Sequence, residues 1–232
     1  MSTETYKRFC MGVDLGQARD YTAIVVVERR SAPEGPDEYH VRYCERLPLG
    51  TSYEAVTQHI GSLLRPFEDQ KQTVVLVVDA TGVGRAVVDA MRDDGLKPIP
   101  MIIHSGSETT KVDGAWHVPK RDLVAVPKVL LGKKQLKIKP EIPFADVLIN
   151  ETLNFRAKTN NAGHDSYEAW REGDHDDLVF ALSLACWCCR RRKKGVHGIA
   201  PITRKMGPRD EREERFTSLK DRRRNVFLSI PP

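Results

Sequence analysis

Apolar residues come in short blocks along the first hundred positions, and their spacing changes from block to block. Residues 9–14, 22–30 and 39–47 are rich in β-branched and aromatic side chains and are bounded by turn formers, which predicts three strands. Between the second and third lies SAPEGPDE, Ser31–Glu38, a hairpin-type loop of Pro, Gly and acids. Thr51–Phe67 shifts to helical spacing, with Tyr53, Val56, Ile60, Leu63 and Leu64 on one stripe. TVVLVVD, Thr73–Asp79, is a continuous apolar run that fits a strand buried on both faces. A small-residue turn, Ala80–Gly84, leads into a helix over Arg85–Asp94 that stops near Gly95, and Pro98–His104 is another short strand.

Downstream the pattern is fainter. Lys120–Leu131 reads as a helix, Gln135–Ile138 as a short strand and Phe144–Ala157 as an amphipathic helix. TNNAGHD, Thr159–Asp165, reads as a loop joining two short strands. HDDLVFALSLACWCC, His175–Cys189, is apolar nearly all round and predicts a buried helix. Beyond it the sequence turns polar and loses its period. Three antiparallel strands followed by alternating helix and strand predict an α/β domain with a mixed central sheet flanked by helices. The expected division is a domain over residues 1–190 and a basic tail over 191–232.

Composition narrows the class. The 232 residues are 40% hydrophobic and 30% charged, as in a globular protein. No run of 18 apolar residues occurs, and MSTETYKRFCMG lacks a signal-peptide apolar region, so no membrane association is expected. The five cysteines, three of them at Cys186, Cys188 and Cys189, point to a reducing compartment and to thiols on a buried helix. A zinc site is the weaker alternative, since no second Cys pair has ligand spacing. The net charge of +5 hides an asymmetry: the stretch from Arg190 to the end carries +9 and the preceding 189 residues −4. The tail opens on RRRKK, with Arg190, Arg191 and Arg192 first. Such a run is either a solvated end or an arm for nucleic-acid phosphate, whose counterions Lys and Arg release.

Three acidic positions interrupt apolar sequence. Asp14 ends the first strand, Asp79 ends the VVLVV strand, and Asp176 and Asp177 open the last helix. Ligands of open α/β sheets bind outside the carboxyl ends of strands. If the two strands are neighbours, Asp14 and Asp79 share that edge, and the helix can bring Asp177 to them. Carboxylates so close repel, and a divalent cation removes the cost. Oxygen ligands suit Mg²⁺ or Mn²⁺, and two such ions between carboxylates serve in-line attack of water on a phosphodiester. Each acid also has a structural reading: Asp14 and Asp79 as turn caps, Asp176 and Asp177 as acids favouring the helix macrodipole. Asp177 shares its helix face with Ala181, Leu184 and Ala185, small enough to approach a sheet closely, so it is the expected inner ligand with Asp176 behind it. His175 is either a cap-region residue or a proton and phosphate partner. Gly16 is expected to keep the turn beside Asp14 small enough for a phosphate backbone to approach.

In order and spacing, VDLGQARDYTAIVV, VVLVVDATGVG and GDHDDLVFALSLA resemble the nuclease domain of bacteriophage large terminase subunits, from roughly Phe9 to Arg190. The resemblance implies an RNase H-like fold and an endonuclease that cuts concatemeric double-stranded viral DNA during genome packaging, in the host cytoplasm. It implies that Asp14, Asp79 and Asp177, with Asp176, hold Mg²⁺ or Mn²⁺, and that Lys120 lies near substrate phosphate. One departure stands out. Large terminases carry an ATPase with a G-x-x-x-x-G-K-[ST] loop, and no such string occurs here. GVGRAVV, Gly82–Val88, lacks the Lys and reads as the opening of a helix. The resemblance therefore implies either a nuclease domain separated from its packaging ATPase or the nuclease subunit of a split terminase whose ATPase is another chain, with the small terminase subunit and portal as further partners. DLG and DATGVG are also similar to the phosphate loops of actin-like ATPases, although Gln17 stands where Thr or Ser is usual. A Holliday-junction-resolvase-like nuclease and an inactive DNA-binding module of the same fold would also carry such a sequence.

Overall fold

The computed structural model of the protein describes residues 6–16, 20–31, 34–82, 84–161 and 176–191. His175, Arg192 and the rest of the tail lie outside them. Three strands open the chain: β1 (Tyr6–Asp14), β2 (Ala23–Ser31) and β3 (Glu38–Arg46). Then come α1 (Tyr53–Asp69), β4 (Val74–Asp79), α2 (Gly84–Asp93) and β5 (Ile99–His104). A hairpin of β6 (Thr110–Val112) and β7 (Ala115–Pro119) precedes α3 (Lys120–Gly132), β8 (Leu136–Lys137), α4 (Ala145–Asn161) and α5 (Asp177–Arg190). One eight-stranded sheet runs β6-β7-β5-β4-β1-β2-β3-β8. Only β2 and β6 pair antiparallel to their neighbours, so β1, β3, β4, β5 and β7 all end at the same edge.

The mixed α/β sheet is thus the expected one, and its alternation shows why these segments are strands. Phe9, Met11 and Val13 of β1 face α1 and α2, together with Val74, Leu76 and Val78 of β4. Cys10 of β1 and Val75 and Val77 of β4 face the other layer, built from α3, α4 and α5. Strands buried on both faces need apolar residues at successive positions, which is why VVLVV shows no alternation. α1 starts at Ser52, whose side chain accepts the Ala55 N–H, and it buries Val56, Ile60, Leu63 and Leu64 of the expected stripe. α5 has no polar stripe because its side chains from Leu178 to Cys189 are almost all buried. All five cysteines are free and buried, as expected for thiols packed in a core. No helix among the described residues is long and apolar enough to cross a membrane.

Two local expectations change. Thr159–Asn161, expected in a loop, form the last turn of α4; the remainder of that stretch lies outside the described residues. The β6–β7 hairpin has no counterpart among the expected elements. Its two-residue loop is Asp113-Gly114, both at positive φ (49° and 81°), the conformation in which Asp-Gly joins twisted antiparallel strands.

Candidate active site

Asp14 and Asp79 are brought together by strand register. β1 pairs parallel with β4, with Val13 opposite Val78, so the next residue of each strand is an aspartate. Adjacent strands lie about 4.8 Å apart, and side chains one pair beyond Val13 and Val78 point to the opposite face, toward α5. Asp79 Oδ1 accepts the Thr81 N–H at 2.8 Å, the contact of the alternative turn-cap reading, which fixes the carboxylate at the strand end.

The third acid arrives through a close helix–sheet contact. A Cβ built on Gly12 would stand 2.1 Å from Ala181 O, 2.7 Å from Ala185 N and 3.0 Å from Leu184 Cβ. The backbone of α5 therefore lies directly on β1 at Gly12, two residues before Asp14. The small face carrying Ala181 and Ala185 makes the approach, as the sequence suggests, and Asp177 stands one turn earlier, over the strand ends. Asp177 is buried at 7% exposure, while Asp176 is partly exposed. Asp176 holds the N-cap position of α5, its carbonyl accepting the Phe180 N–H, but its side chain makes no capping hydrogen bond. Instead Glu151 of α4 accepts the Val179 N–H with Oε2 at 3.2 Å and caps the helix from outside.

Arg46 and Glu151 are the residues that sequence reasoning missed. Arg46 Nη2 contacts Glu151 Oε1 and lies 3.4 Å from Asp177 Oδ2. A hint is present for Glu151: it falls on the buried stripe Leu148, Thr152 and Phe155, where an acid is out of place. Arg46 simply closes a strand, and nothing local marks it.

Electrostatics reflect the crowding. Burial first, and then the charges of Asp79, Asp177, Asp176 and Asp20, hold the Asp14 carboxyl well above the usual carboxylate range. Burial pushes Glu151 up to about 7, against the pull of Arg46 and of the Val179 N–H. A set of hard oxygen donors that disfavours its own ionisation suits a divalent cation, which would restore the charge balance. Among the described residues no three such side chains converge tightly enough to enclose an ion in this arrangement. Thr81 N–H and Arg46 hold oxygens that would have to turn.

The basic candidates divide. Lys120 opens α3 directly after β7 and so lies at the same sheet edge; its Nζ is 4.8 Å over the ring of Phe180, one turn along α5 from Asp176. Arg190 and Arg191 lie at the other end of α5, whose 14 residues span about 20 Å. There the Arg191 guanidinium stacks 4.0 Å over Trp116 and 4.6 Å over Trp187, and its carbonyl accepts from Arg8 at the start of β1 (3.0 Å). These two arginines are not brought to the acids. Gly16 also gains a different explanation: a Cβ there would stand 2.3 Å from Asp20 O and 2.4 Å from Tyr21 O, so the space it leaves is filled by the chain's own β1–β2 turn.

No protein-family model matches the chain. No curated protein matches it either. Similar solved structures include forms of the human cytomegalovirus terminase nuclease domain, at 13–14% identity. The form soaked with Mn and bound to an inhibitor covers 79% of this chain and 84% of its own, with a TM-score of 0.47 at 13% identity. The domain by itself covers 79% and 85%, with a TM-score of 0.44 at 14% identity.

Proposed function

We propose that this chain is a metal-dependent endonuclease that hydrolyses phosphodiesters of double-stranded DNA, in the manner of a terminase nuclease during viral genome packaging. One observation carries the reading: Asp14 and Asp79 end neighbouring parallel strands on one face, and the α5–Gly12 contact lays Asp177 over them. Acids from three distant segments lie near enough at this edge for Asp79 and Asp177 to raise the Asp14 carboxyl, and this is the edge where α/β sheets bind ligands. Asp14, Asp79 and Asp177, with Asp176, would hold Mg²⁺ or Mn²⁺, two ions in the full site. Bound ions would supply activation of the attacking water and neutralisation of charge on the leaving 3′ oxygen. Lys120, held at the same edge, would take a substrate phosphate. His175, next to Asp176 in sequence, would serve the same phosphate or move a proton.

The test is nicking of supercoiled plasmid by the full chain with Mn²⁺ and with EDTA. Cleavage that needs the ion supports the proposal; none under any divalent ion, with DNA still bound, points to an inactive binding module. Branched against linear substrates separates a resolvase from a packaging nuclease.

The tail gives a second expected outcome. With +9 of charge after residue 189 and −4 before it, DNA affinity should reside largely in the tail. Deleting residues 195–232, which removes +4 of that charge and leaves Arg190–Lys194, is expected to weaken DNA binding most at low salt, severalfold at about 50 mM, and to flatten the salt dependence measured by fluorescence anisotropy. Equal affinity at every salt concentration would give the tail another purpose. The acidic core fits a nuclease that is brought to DNA by a packaging ATPase, a small terminase subunit and a portal.

A further inference from the structure

Arg46 ends β3 in the register row that passes through Ala23 to Asp14. Residues of one row share a sheet face, so its side chain is delivered to the side of the sheet where Asp14 and α5 lie. The side chain is only 13% exposed, and its guanidinium lies 5.1 Å over the ring of Tyr21. It bridges two carboxylates, Glu151 of α4 and Asp177 of α5. A pair that merely tied β3 to α4 would need Glu151 alone. The second contact places a fixed positive charge on an acid that the proposed function makes an ion ligand.

We propose that Arg46 is the resident counter-cation of the carboxylate cluster: it neutralises Asp177 and Glu151 when no divalent ion is bound, and yields Asp177 when one binds. The inference rests on the metal-centre reading above. A divalent ion and a guanidinium on the same carboxylate repel each other strongly at partly buried sites. Glu151 gives the guanidinium a place to remain once Asp177 has turned away, because its other oxygen is already fixed by the Val179 N–H. Linkage makes the effect reciprocal: if the ion weakens the Arg46–Asp177 contact, that contact weakens ion binding by the same factor. Arg46 thus sets the ion concentration at which the site fills. It is a positioning residue, and its signature is an opposite effect on stability and on ion affinity.

The experiment is calorimetric titration of MnCl₂ into the full chain, with thermal melts in EDTA and in Mn²⁺. Arg46→Gln is expected to bind Mn²⁺ about tenfold more tightly than wild type, to melt lower in EDTA, and to gain more from Mn²⁺. Arg46→Lys keeps the charge but loses the planar fork stacked on Tyr21, so its affinity should fall between those of wild type and Arg46→Gln. A purely structural role would lower both melts alike and leave the affinity unchanged or weaker, which overturns the inference. If Arg46→Gln does not fold, the Arg46 Nε resonance of ¹⁵N-labelled wild type is followed during Mg²⁺ titration; it should move as the site saturates, and an unmoved signal overturns the inference equally. Asp14→Asn separates the two levels. Ion binding that is absent, or unaffected by Asp14→Asn, sinks the metal centre itself, whereas Asp14-dependent binding with no Arg46 effect sinks only the counter-cation.

Discussion

Asp14→Asn is expected to abolish metal-dependent cleavage and, at the same time, to make the metal-free protein more stable. The two effects share one cause. Asp14 sits beside Asp79, under Asp177 and near Asp176, and its carboxyl is held well above the usual range by burial and by these charges. An acid whose folded value is raised takes up protons on folding. Its contribution to stability therefore falls as pH rises from the unfolded value near 3.8 through the higher folded value. At pH 8 in EDTA the Asp14 carboxyl, with its folded value raised by burial and neighbouring charge, is a net cost to the fold, and the neutral isosteric amide removes it. The expected gain is about 1 kcal/mol, or about 2–4 °C in Tm, and it should shrink at pH 5.

Cleavage moves the other way. Losing an anionic ligand forfeits several kcal/mol of charge stabilisation, about a 10³-fold drop in rate. The measurement pairs plasmid nicking in Mn²⁺ with melts in EDTA at the two pH values. A folded Asp14→Asn variant with wild-type nicking would falsify the assignment. A variant that loses activity and stability together would instead mark Asp14 as a structural turn residue. Stability gained where activity is lost is the expected mark of a site held in a strained state for its ligand.

How much of this could be read from sequence depends on whether the determining contacts are local. Strands β1 and β4 are visible because their apolar runs are continuous and each ends in a charge, and Asp14 and Asp79 stand out for the same reason. Helix α5 is visible because burial on all sides leaves no polar stripe. The choice of Asp177 over Asp176 comes from its small-residue face, and that face does lie on β1 through Ala181 and Ala185. Arg46 and Glu151 are not visible, because their pairing joins residues 105 apart and neither forms a motif. The β6–β7 hairpin escapes for another reason. Its Asp-Gly signal is present, but β6 is three residues long and exposed throughout, so no hydrophobic alternation draws attention to it. Gly16 shows the converse hazard. A glycine beside a candidate ligand invites a functional reading, while its own hairpin backbone already requires it.

Gly12 lacks any motif, yet Gly12→Ala is expected to be the most damaging single-methyl change in the described core. The added Cβ would meet the backbone oxygen of Ala181 at 2.1 Å and the backbone nitrogen of Ala185 at 2.7 Å. Real contacts of a methyl carbon with oxygen are longer by more than 1 Å, and no side-chain rotation can relieve a clash with helix backbone. Helix α5 must lift from the sheet, opening the layer that holds Leu178, Leu182 and Leu184, all fully buried. Overpacking of a well-filled core costs about 1–3 kcal/mol, and a backbone collision belongs at the top of that range. Tm should fall by about 6–12 °C. Gly132, in α3, faces open space, and Gly132→Ala should change stability by less than about 0.5 kcal/mol, which controls for the substitution itself. The same lift carries Asp177 away from Asp14 and Asp79. A displacement near 1 Å costs a reacting constellation about 10²-fold, so residual folded Gly12→Ala should nick plasmid far more slowly than its folded fraction predicts. Its Mn²⁺ affinity should drop as well. A Gly12→Ala protein that melts like wild type would show that α5 does not rest on β1 at this point, and the route by which Asp177 reaches the strand ends would have to be another.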